Sequence, residues 1–297
     1  MIKNWSRSHL VAFAINLTVL FVVVTYFLRQ YIILIFSRVE KYGGNKYRYV
    51  YDHKYNNTLI NRDSTHSRSN LNKRQLEFVH ITKTGGSAIE QAAAISGIKW
   101  GCCHWKNVKS FGETCKRDKI FPSYNWDSIP IQFKGILGEP WHTPNHWFDP
   151  DPYANSSTFT IIRNPYNRAL SEYYCKFGGY HGEDRNNSTI MNRWLMKQMK
   201  RMNQSKYRAH FLPQHYYVYD KKGAVLVDHV LRYETLETDF EDLMYLYDLN
   251  NVDLPERINT RSDTSSLTIA NLKKRTIYMI NDVFADDFYK LNYSKIK

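Results

Sequence analysis

One segment of the chain combines a lysine, two adjacent glycines and flanking hydroxyl side chains. The run TKTGGS at 82–87 follows the short apolar, β-prone segment 76–81 and precedes the helical pattern AIEQAAAI. Glycines let a backbone approach an anion closely, and the first amide groups and dipole of a helix attract negative charge. The pattern therefore predicts a strand, a phosphate-binding turn and a helix. The predicted contacts come from Lys83, Thr84, Gly85, Gly86, Ser87 and Ala88.

A second segment carries the pattern R-x-P-x-x-R-x-x-S-x-Y, beginning at Arg163 directly after the apolar run 157–162. Pro165 suits the first turn of a helix, which places Ser171 about two turns into that helix. In open α/β sheets, ligands bind at the carboxyl ends of the strands. Because the planar fork of arginine can donate two hydrogen bonds to one phosphate, we expect Arg163 and Ser171 to form a second phosphate contact.

These two motifs, in this order, resemble those of the sulfotransferases that use 3′-phosphoadenosine-5′-phosphosulfate (PAPS). HITKTGGSAI resembles their 5′-phosphosulfate loop, with Thr82 where many members have proline, and the Arg163 segment resembles their 3′-phosphate motif. The similarity is to the Golgi carbohydrate branch, which includes the heparan sulfate 2-O-sulfotransferases. It extends over about residues 76–293 through further matches at 210–214, at the strand-like stretch 225–233, and at 234–240 and 287–293.

The resemblance implies a P-loop-like three-layer α/β fold, with a central parallel sheet flanked by helices. It also implies transfer of a sulfuryl group from PAPS, the co-substrate, to a hydroxyl of a glycan or proteoglycan. Lys83 is expected to stabilise the leaving phosphate oxygen. Lysine, arginine and backbone amides already neutralise the anion, so we expect no metal.

The acceptor hydroxyl needs a general base, and the segment GEPWHTP between the two motifs offers His142, with Glu139 as the alternative. A histidine in a similar stretch, after a strand, serves as the base in the resembling branch, and the segment 133–137 is strand-like. His146 and His104 are weaker candidates, expected to be hydrogen-bonded loop histidines. A structural role is expected for His80, at the end of the first strand.

Two other functions fit parts of the sequence. A type II membrane glycosyltransferase would bind Mn²⁺ and a sugar nucleotide at the D-x-D triplet Asp149-Pro150-Asp151, although the neighbouring prolines favour a turn there. A non-catalytic glycan-binding protein with a degenerate fold is the other alternative. The intact Lys83, Arg163 and Ser171 argue against degeneration.

Composition limits these alternatives only broadly. The 297 residues suffice for one α/β domain with a short anchor and stem, and the net charge of +13 favours anionic partners. No nucleic-acid-binding motif accompanies that charge. None of the four cysteines forms a C-x-x-C pair, so no structural zinc site is expected. Cys115 can pair with Cys102 or Cys103, or all can remain free thiols.

The amino-terminal region is expected to anchor the chain in a membrane. The segment 10–28 contains no charged residue and is long enough to span a bilayer as a helix. We divide the chain into a tail at 1–9, a signal anchor at 10–36, a stem at 37–74 and a catalytic domain at 75–297. The flanking charges do not fix the orientation. Glycosylation sequons and the resemblance favour a single-pass type II protein of the Golgi membrane with a lumenal domain; the sequons are at Asn56, Asn155, Asn186, Asn187, Asn203 and Asn292.

A cluster of basic residues at 193–208 has two interpretations. It can line a groove for an acidic polysaccharide acceptor, or form the solvated face of an amphipathic helix with Trp194, Leu195 and Met199 inward. Lys273, Lys274 and Arg275 are candidates for a further 3′-phosphate contact, with a solvated helix face as the alternative.

Overall fold

The structure is a computed structural model that describes residues 47–49, 59–61, 74–98, 100, 123–134, 140–203, 209–255 and 267–297. The predicted anchor and nearly all of the stem lie outside these ranges. Within them, no helix is both long and apolar enough to cross a membrane. The chain divides into two compact units. In the smaller unit, β1 (Tyr47–Tyr49) pairs antiparallel with β2 (Leu59–Asn61).

The larger unit is built on a parallel sheet of β3 (Leu76–Val79), β6 (Ser157–Ile162) and β7 (His229–Arg232), in the order β3-β6-β7. Both neighbouring pairs are parallel. Every residue of the central strand β6 is buried, as expected for a parallel strand covered on both faces. The prediction of a parallel central sheet is confirmed.

Helices flank this sheet. They are α1 (Gly86–Ile95), α2 (Pro165–Tyr173), α3 (Ser188–Asn203), α4 (His215–Val218), α5 (Leu236–Leu246), α6 (Lys274–Val283) and α7 (Ala285–Lys290). Two apolar clusters fill the space between the helices and the sheet. Phe159 and Ile161 of β6 belong to a cluster with residues of α1 and α5. Ile162 belongs to the other cluster, with residues of α2, α3, α6 and α7.

The prediction of a strand at 133–137, between the two phosphate motifs, is wrong at Phe133. Phe133 ends a one-turn 3₁₀ helix (Ile131–Phe133), in which its N–H donates to the Pro130 carbonyl at 2.9 Å. Residues 135–139 lie outside the described ranges. Two more such turns follow, Pro140–His142 and Asn145–Trp147. A small antiparallel pair, β4 (Ser123–Tyr124) with β5 (Phe148–Asp149), borders this region.

The strand expected over 225–233 is shorter than predicted, because β7 begins only at His229. Just before β7, the Asp228 carboxylate accepts the backbone N–H of Thr158 at 2.9 Å. This N–H of β6 is therefore not available to a backbone carbonyl of a strand that began earlier. At the other end, Tyr233 begins a 3₁₀ turn (Tyr233–Thr235) that leads into α5.

Candidate active site

The turn between β3 and α1, the phosphate loop (82–87), has a backbone that glycine makes possible. Lys83 and Gly85 both adopt left-handed conformations, with φ of 67° and 101°. A Cβ on Gly86 would lie 2.6 Å from Nε2 of His80, so no larger residue fits there without displacing that ring. Gly85 supplies no capping side chain, and the first turn of α1 has no acidic residue. The first turn of α1 therefore places no carboxylate at the positive end of the helix dipole, which faces the loop.

The two threonines of the loop have structural hydrogen bonds. The Thr84 hydroxyl donates to the Ile81 carbonyl at 2.8 Å, so it closes the turn, and only its backbone N–H remains available as a donor to an anion. The Thr82 hydroxyl donates to the His210 carbonyl at 2.9 Å. A proline at that position could not make this bond, so Thr82 ties the loop to a distant part of the chain.

Arg168 is the buried support of the phosphate loop. Arg168 is only 3% exposed, and its Nε donates to the Thr82 carbonyl at 2.9 Å. Its Nη2 donates to the Thr82 hydroxyl at 3.2 Å and to the His210 carbonyl at 3.1 Å. The second arginine of the R-x-P-x-x-R pattern is therefore buried and holds the phosphate loop in position, whereas the first, Arg163, is half-buried.

Arg163 follows β6 directly and reaches the neighbouring phosphate loop, because β3 and β6 are adjacent and parallel. Its Nη1 donates to the Lys83 carbonyl at 3.2 Å, and its guanidinium lies over the Tyr233 ring, 3.8 Å from the centroid. The Gln214 side chain accepts the Arg163 N–H and donates to the Arg163 carbonyl, each at 2.8 Å. The buried Asp287 holds Gln214 in turn, accepting its backbone N–H at 2.9 Å.

His142 lies in the middle of a row of three histidines. Its ring centroid is 4.8 Å from that of His80 and 5.4 Å from that of His210, edge-on in both cases. Buried carboxylates hold the outer two rings: Glu90 contacts His80 Nδ1 at 2.5 Å, and Glu172 contacts His210 Nδ1 at 3.1 Å. The row connects the predicted base with the phosphate loop, since the His80 ring fills the space beside Gly86.

The remaining residues predicted for the site are Ser87, Ser171, Glu139, His104 and His146. Ser87 and Ser171 are half-buried on α1 and α2, each on the predicted helix. Glu139 and His104 lie outside the described residues. Burial lowers the pKa of His146 to about 4, with the charges of Asp220 and Lys221 as smaller influences.

The D-x-D triplet begins at the end of β5, bends at Pro150 and leads into a turn at 152–155, so the turn that its prolines indicated lies just after it. The Asp151 carboxylate accepts the Asn145 side-chain amide at 2.7 Å and the Tyr153 backbone N–H at 2.8 Å. Asp149 is exposed at the end of β5. The Asp151 oxygens are thus committed to local structure, which weakens the interpretation of the triplet as a Mn²⁺ site.

A cysteine that received no role in the sequence lies beside the row of histidines. Burial alone would raise the pKa of the Cys175 thiol, but a hydrogen bond with His210 and the charge of Lys83 bring it down to about 7. Burial would likewise lower the pKa of His210, yet its hydrogen bonds with Cys175 and Glu172 raise it to about 9. The two groups therefore favour a thiolate beside an imidazolium.

Several supporting residues escaped the sequence analysis, which assigned no role to Arg168, Gln214, Tyr233 or Cys175. The signal for Arg168 was present, because it belongs to the second phosphate motif. Gln214 and Tyr233 lie within the stretches 210–214 and 225–233 that carried the resemblance. Their contacts depend on how distant segments pack, so local patterns could not indicate them.

One known protein family matches most of the chain. The model of the sulfotransferase family matches residues 71–294, which is most of the chain and includes both phosphate motifs. No curated protein and no solved structure matches the sequence.

Proposed function

The chain belongs to the sulfotransferase family, and from this we propose that it transfers a sulfuryl group from PAPS to a hydroxyl group of a glycan. Sulfuryl transfer follows from the family, which normally uses PAPS as the donor. The glycan acceptor and the roles of individual residues are the proposed part.

One observation carries the residue assignments: Arg163 and the phosphate loop meet at the carboxyl ends of adjacent parallel strands. The Nη1 of Arg163 is 3.2 Å from the Lys83 carbonyl, and this contact supports the assignment of the two predicted phosphate-binding segments to one site. Glycines at 85 and 86, the start of α1 and two cationic side chains suit a ligand with several phosphate groups. A nucleotide carrying phosphates at its 3′ and 5′ positions has this chemistry.

In the proposed reaction, the acceptor oxygen bonds to sulfur while the bond from sulfur to the 5′-phosphate oxygen breaks. Lys83 and the first amides of α1 stabilise the negative charge that remains on the nucleotide. His142 takes the proton of the acceptor hydroxyl, and its neighbours His80 and His210 hold the ring in place. Arg163 and Ser171 bind the 3′-phosphate. These groups already supply positive charge, so the proposed transfer needs no metal.

A basic cavity supports an acidic acceptor. It has a volume of about 410 Å³ and lies where α3 and α6 meet. Leu195 and Met199 are buried on the inner side of α3, while Arg193, Lys197 and Lys200 are exposed, so the helix is amphipathic as predicted. Its basic face also forms the cavity, which suits the sulfate or carboxylate groups of an acidic polysaccharide. The basic lining residues are Arg193, Lys197, Lys200, Arg201 and Arg275.

The proposed location is the Golgi membrane, with the catalytic domain in the lumen. The apolar segment 10–28 and the downstream sequons motivate this part of the proposal. Protease protection of the domain in intact vesicles tests it, because a cytosolic domain would be digested.

The decisive experiment incubates the purified protein with radiolabelled PAPS and a panel of neutral and acidic glycans. We expect label in an acidic glycan, and no label when Lys83→Ala replaces the wild type. Lys176→Ala, which removes an exposed lysine, is the matched control and should transfer label normally. Absence of transfer together with absence of adenosine 3′,5′-bisphosphate (PAP) binding in calorimetry would overturn the proposal.

A further inference from the structure

Three side chains with metal-ligand chemistry meet next to the phosphate loop. One candidate ligand atom from each of Glu172, Cys175 and His210 lies within 4.8 Å of the other two. The Glu172 side chain is 1% exposed, and Cys175 is a buried free thiol. Among the described residues, this is the one group of three histidine, cysteine or acidic side chains arranged in this way.

We propose that these three side chains bind one Zn²⁺ ion, or another soft divalent cation of similar size. The ligand atoms are Cys175 Sγ, a ring nitrogen of His210 and a carboxylate oxygen of Glu172. Thiolate, imidazole and carboxylate are the ligands that zinc takes in proteins, and a three-residue set leaves the fourth position for water. Metal–ligand bonds of about 2.0–2.3 Å place the ligand atoms about 3–4 Å apart, so small side-chain movements complete the site.

The backbone holds two of the ligands in a fixed relation. Glu172 and Cys175 are separated by three positions at the end of α2, and the Cys175 N–H donates to the Glu172 carbonyl at 2.9 Å. Gly179 then turns back onto this segment, and its N–H donates to the Cys175 carbonyl at 2.8 Å. A Cβ on Gly179 would lie 2.4–2.6 Å from the carbonyl oxygens of this segment, so the tight turn requires glycine.

Hydrogen bonds to its backbone carbonyl hold the third ligand residue, His210. The His210 carbonyl accepts the Thr82 hydroxyl at 2.9 Å and Arg168 Nη2 at 3.1 Å. Fixing a ligand residue through such partners raises the affinity of a metal site. In the metal-free protein the buried Glu172 carboxylate contacts the His210 ring at 3.1 Å, and the metal ion takes the place of the ring proton between them.

The charges are compatible with a divalent cation even though Lys83 acts electrostatically on Cys175. A thiolate and a carboxylate together neutralise the two positive charges of the ion. The complex therefore places no additional net charge beside Lys83. The absence of a C-x-x-C pair does not oppose this site, since its ligands come from two separate segments.

Cobalt titration of the chelator-treated full-length protein tests the proposal without donor or acceptor, so its result does not depend on the proposed function. We expect one equivalent of Co²⁺ to bind, with thiolate-to-cobalt absorption in the near ultraviolet, and Zn²⁺ to displace it. Cys175→Ser should abolish the near-ultraviolet band. His210→Ala and Glu172→Gln should each weaken Co²⁺ binding by about tenfold or more.

Two control variants make the result specific. His181→Ala removes an exposed histidine, and replacing Cys102, Cys103 and Cys115 together by serine removes the other thiols; both should leave the band intact. Circular dichroism checks that each variant is folded, and displacement by Zn²⁺ is measured on the wild type. A thiolate band that survives Cys175→Ser, or Co²⁺ binding with no such band in the wild type, overturns the proposed site.

Discussion

The guanidinium group of Arg163 lies over the aromatic ring of Tyr233, with 3.8 Å between its central carbon and the ring centroid. The same ring is close to Gly85, where a Cβ would be 3.1 Å from it. Tyr233 therefore contacts both phosphate-binding segments at once. It positions the arginine that the second motif predicts for the 3′-phosphate.

We expect Tyr233→Leu to weaken PAP binding, because Arg163 loses its cation–π partner. Such contacts at partly exposed sites contribute about 0.5–1 kcal/mol, which corresponds to a rise of about two- to fivefold in Kd. Tyr233→Phe keeps the ring and should bind PAP like the wild type in calorimetry. Equal weakening in both variants would show that the hydroxyl, and not the ring face, matters.

Arg168→Ala should destabilise the protein and weaken PAP binding together. The substitution leaves the Thr82 carbonyl without its Arg168 donor, at a cost of about 1–3 kcal/mol, and removes one of the two donors to the His210 carbonyl, which keeps the Thr82 hydroxyl. Urea unfolding should therefore show a loss of about 1–3 kcal/mol. The exposed Arg193 is the control, since Arg193→Ala should change stability by less than about 0.5 kcal/mol. Unchanged stability in Arg168→Ala would contradict the support role.

The sequence predicted the elements that have strong local signals. The apolar run 157–162 forms β6 with the predicted bounds, and Pro165 begins α2 as expected. The prediction of the strand at 225–233 failed at its start, because the Asp228 side chain takes the place of a backbone hydrogen-bond partner there. Strand propensity in the preceding segment gave no indication of that bond.

The candidate site was predictable only in its backbone framework. Lys83 and Arg163 could be assigned from the motifs that carry them, but the carboxylates behind His80 and His210 could not. Glu90 and Glu172 appear in the sequence as ordinary helix residues, and they meet the histidines only after α1 and α2 pack on the sheet. Cys175 joins its partners for the same tertiary reason.

Gly86→Ala should reduce stability and PAP binding, because the new methyl group meets the His80 ring at 2.6 Å. Overpacking of this kind costs about 1–3 kcal/mol. The double variant Gly86→Ala with His80→Ala has room for the methyl group. We expect it to lose less stability than the sum of the two single variants in urea unfolding. Strict additivity would contradict a direct clash.

The protein should lose stability as the pH rises through the weakly acidic range, because Glu77 loses its proton there. Burial raises the pKa of its carboxyl group to about 7 from 4.5, against a smaller opposing hydrogen bond from Gln75. The folded state therefore holds this proton where the unfolded chain has released it, so the free energy of unfolding falls between these two values.

In Glu77→Gln, that fall should disappear, because glutamine does not titrate. Urea unfolding at about pH 5 and about pH 7.5 measures the difference. Glu183→Gln removes an exposed carboxylate and should keep the wild-type dependence on pH. The same fall in Glu77→Gln as in the wild type would assign it to another group.

His142→Ala should reduce kcat by about 10²- to 10⁴-fold, the usual contribution of a general base. The Kd for PAP should stay near its wild-type value, because a general base acts on the acceptor hydroxyl and not on the phosphates of the nucleotide. His142→Asn should behave in the same way, which separates loss of the base from loss of volume.

The control for the base assignment is His146→Ala, which removes a histidine that burial keeps neutral and that lies beside Trp147. It should leave kcat near the wild-type value. Normal turnover in both His142 variants would exclude His142 as the base and leave Glu139, the alternative from the same segment. Glu139→Gln would then be expected to lower kcat by the amount predicted for His142, with the Kd for PAP again unchanged, because a base acts on the acceptor and not on the bound nucleotide.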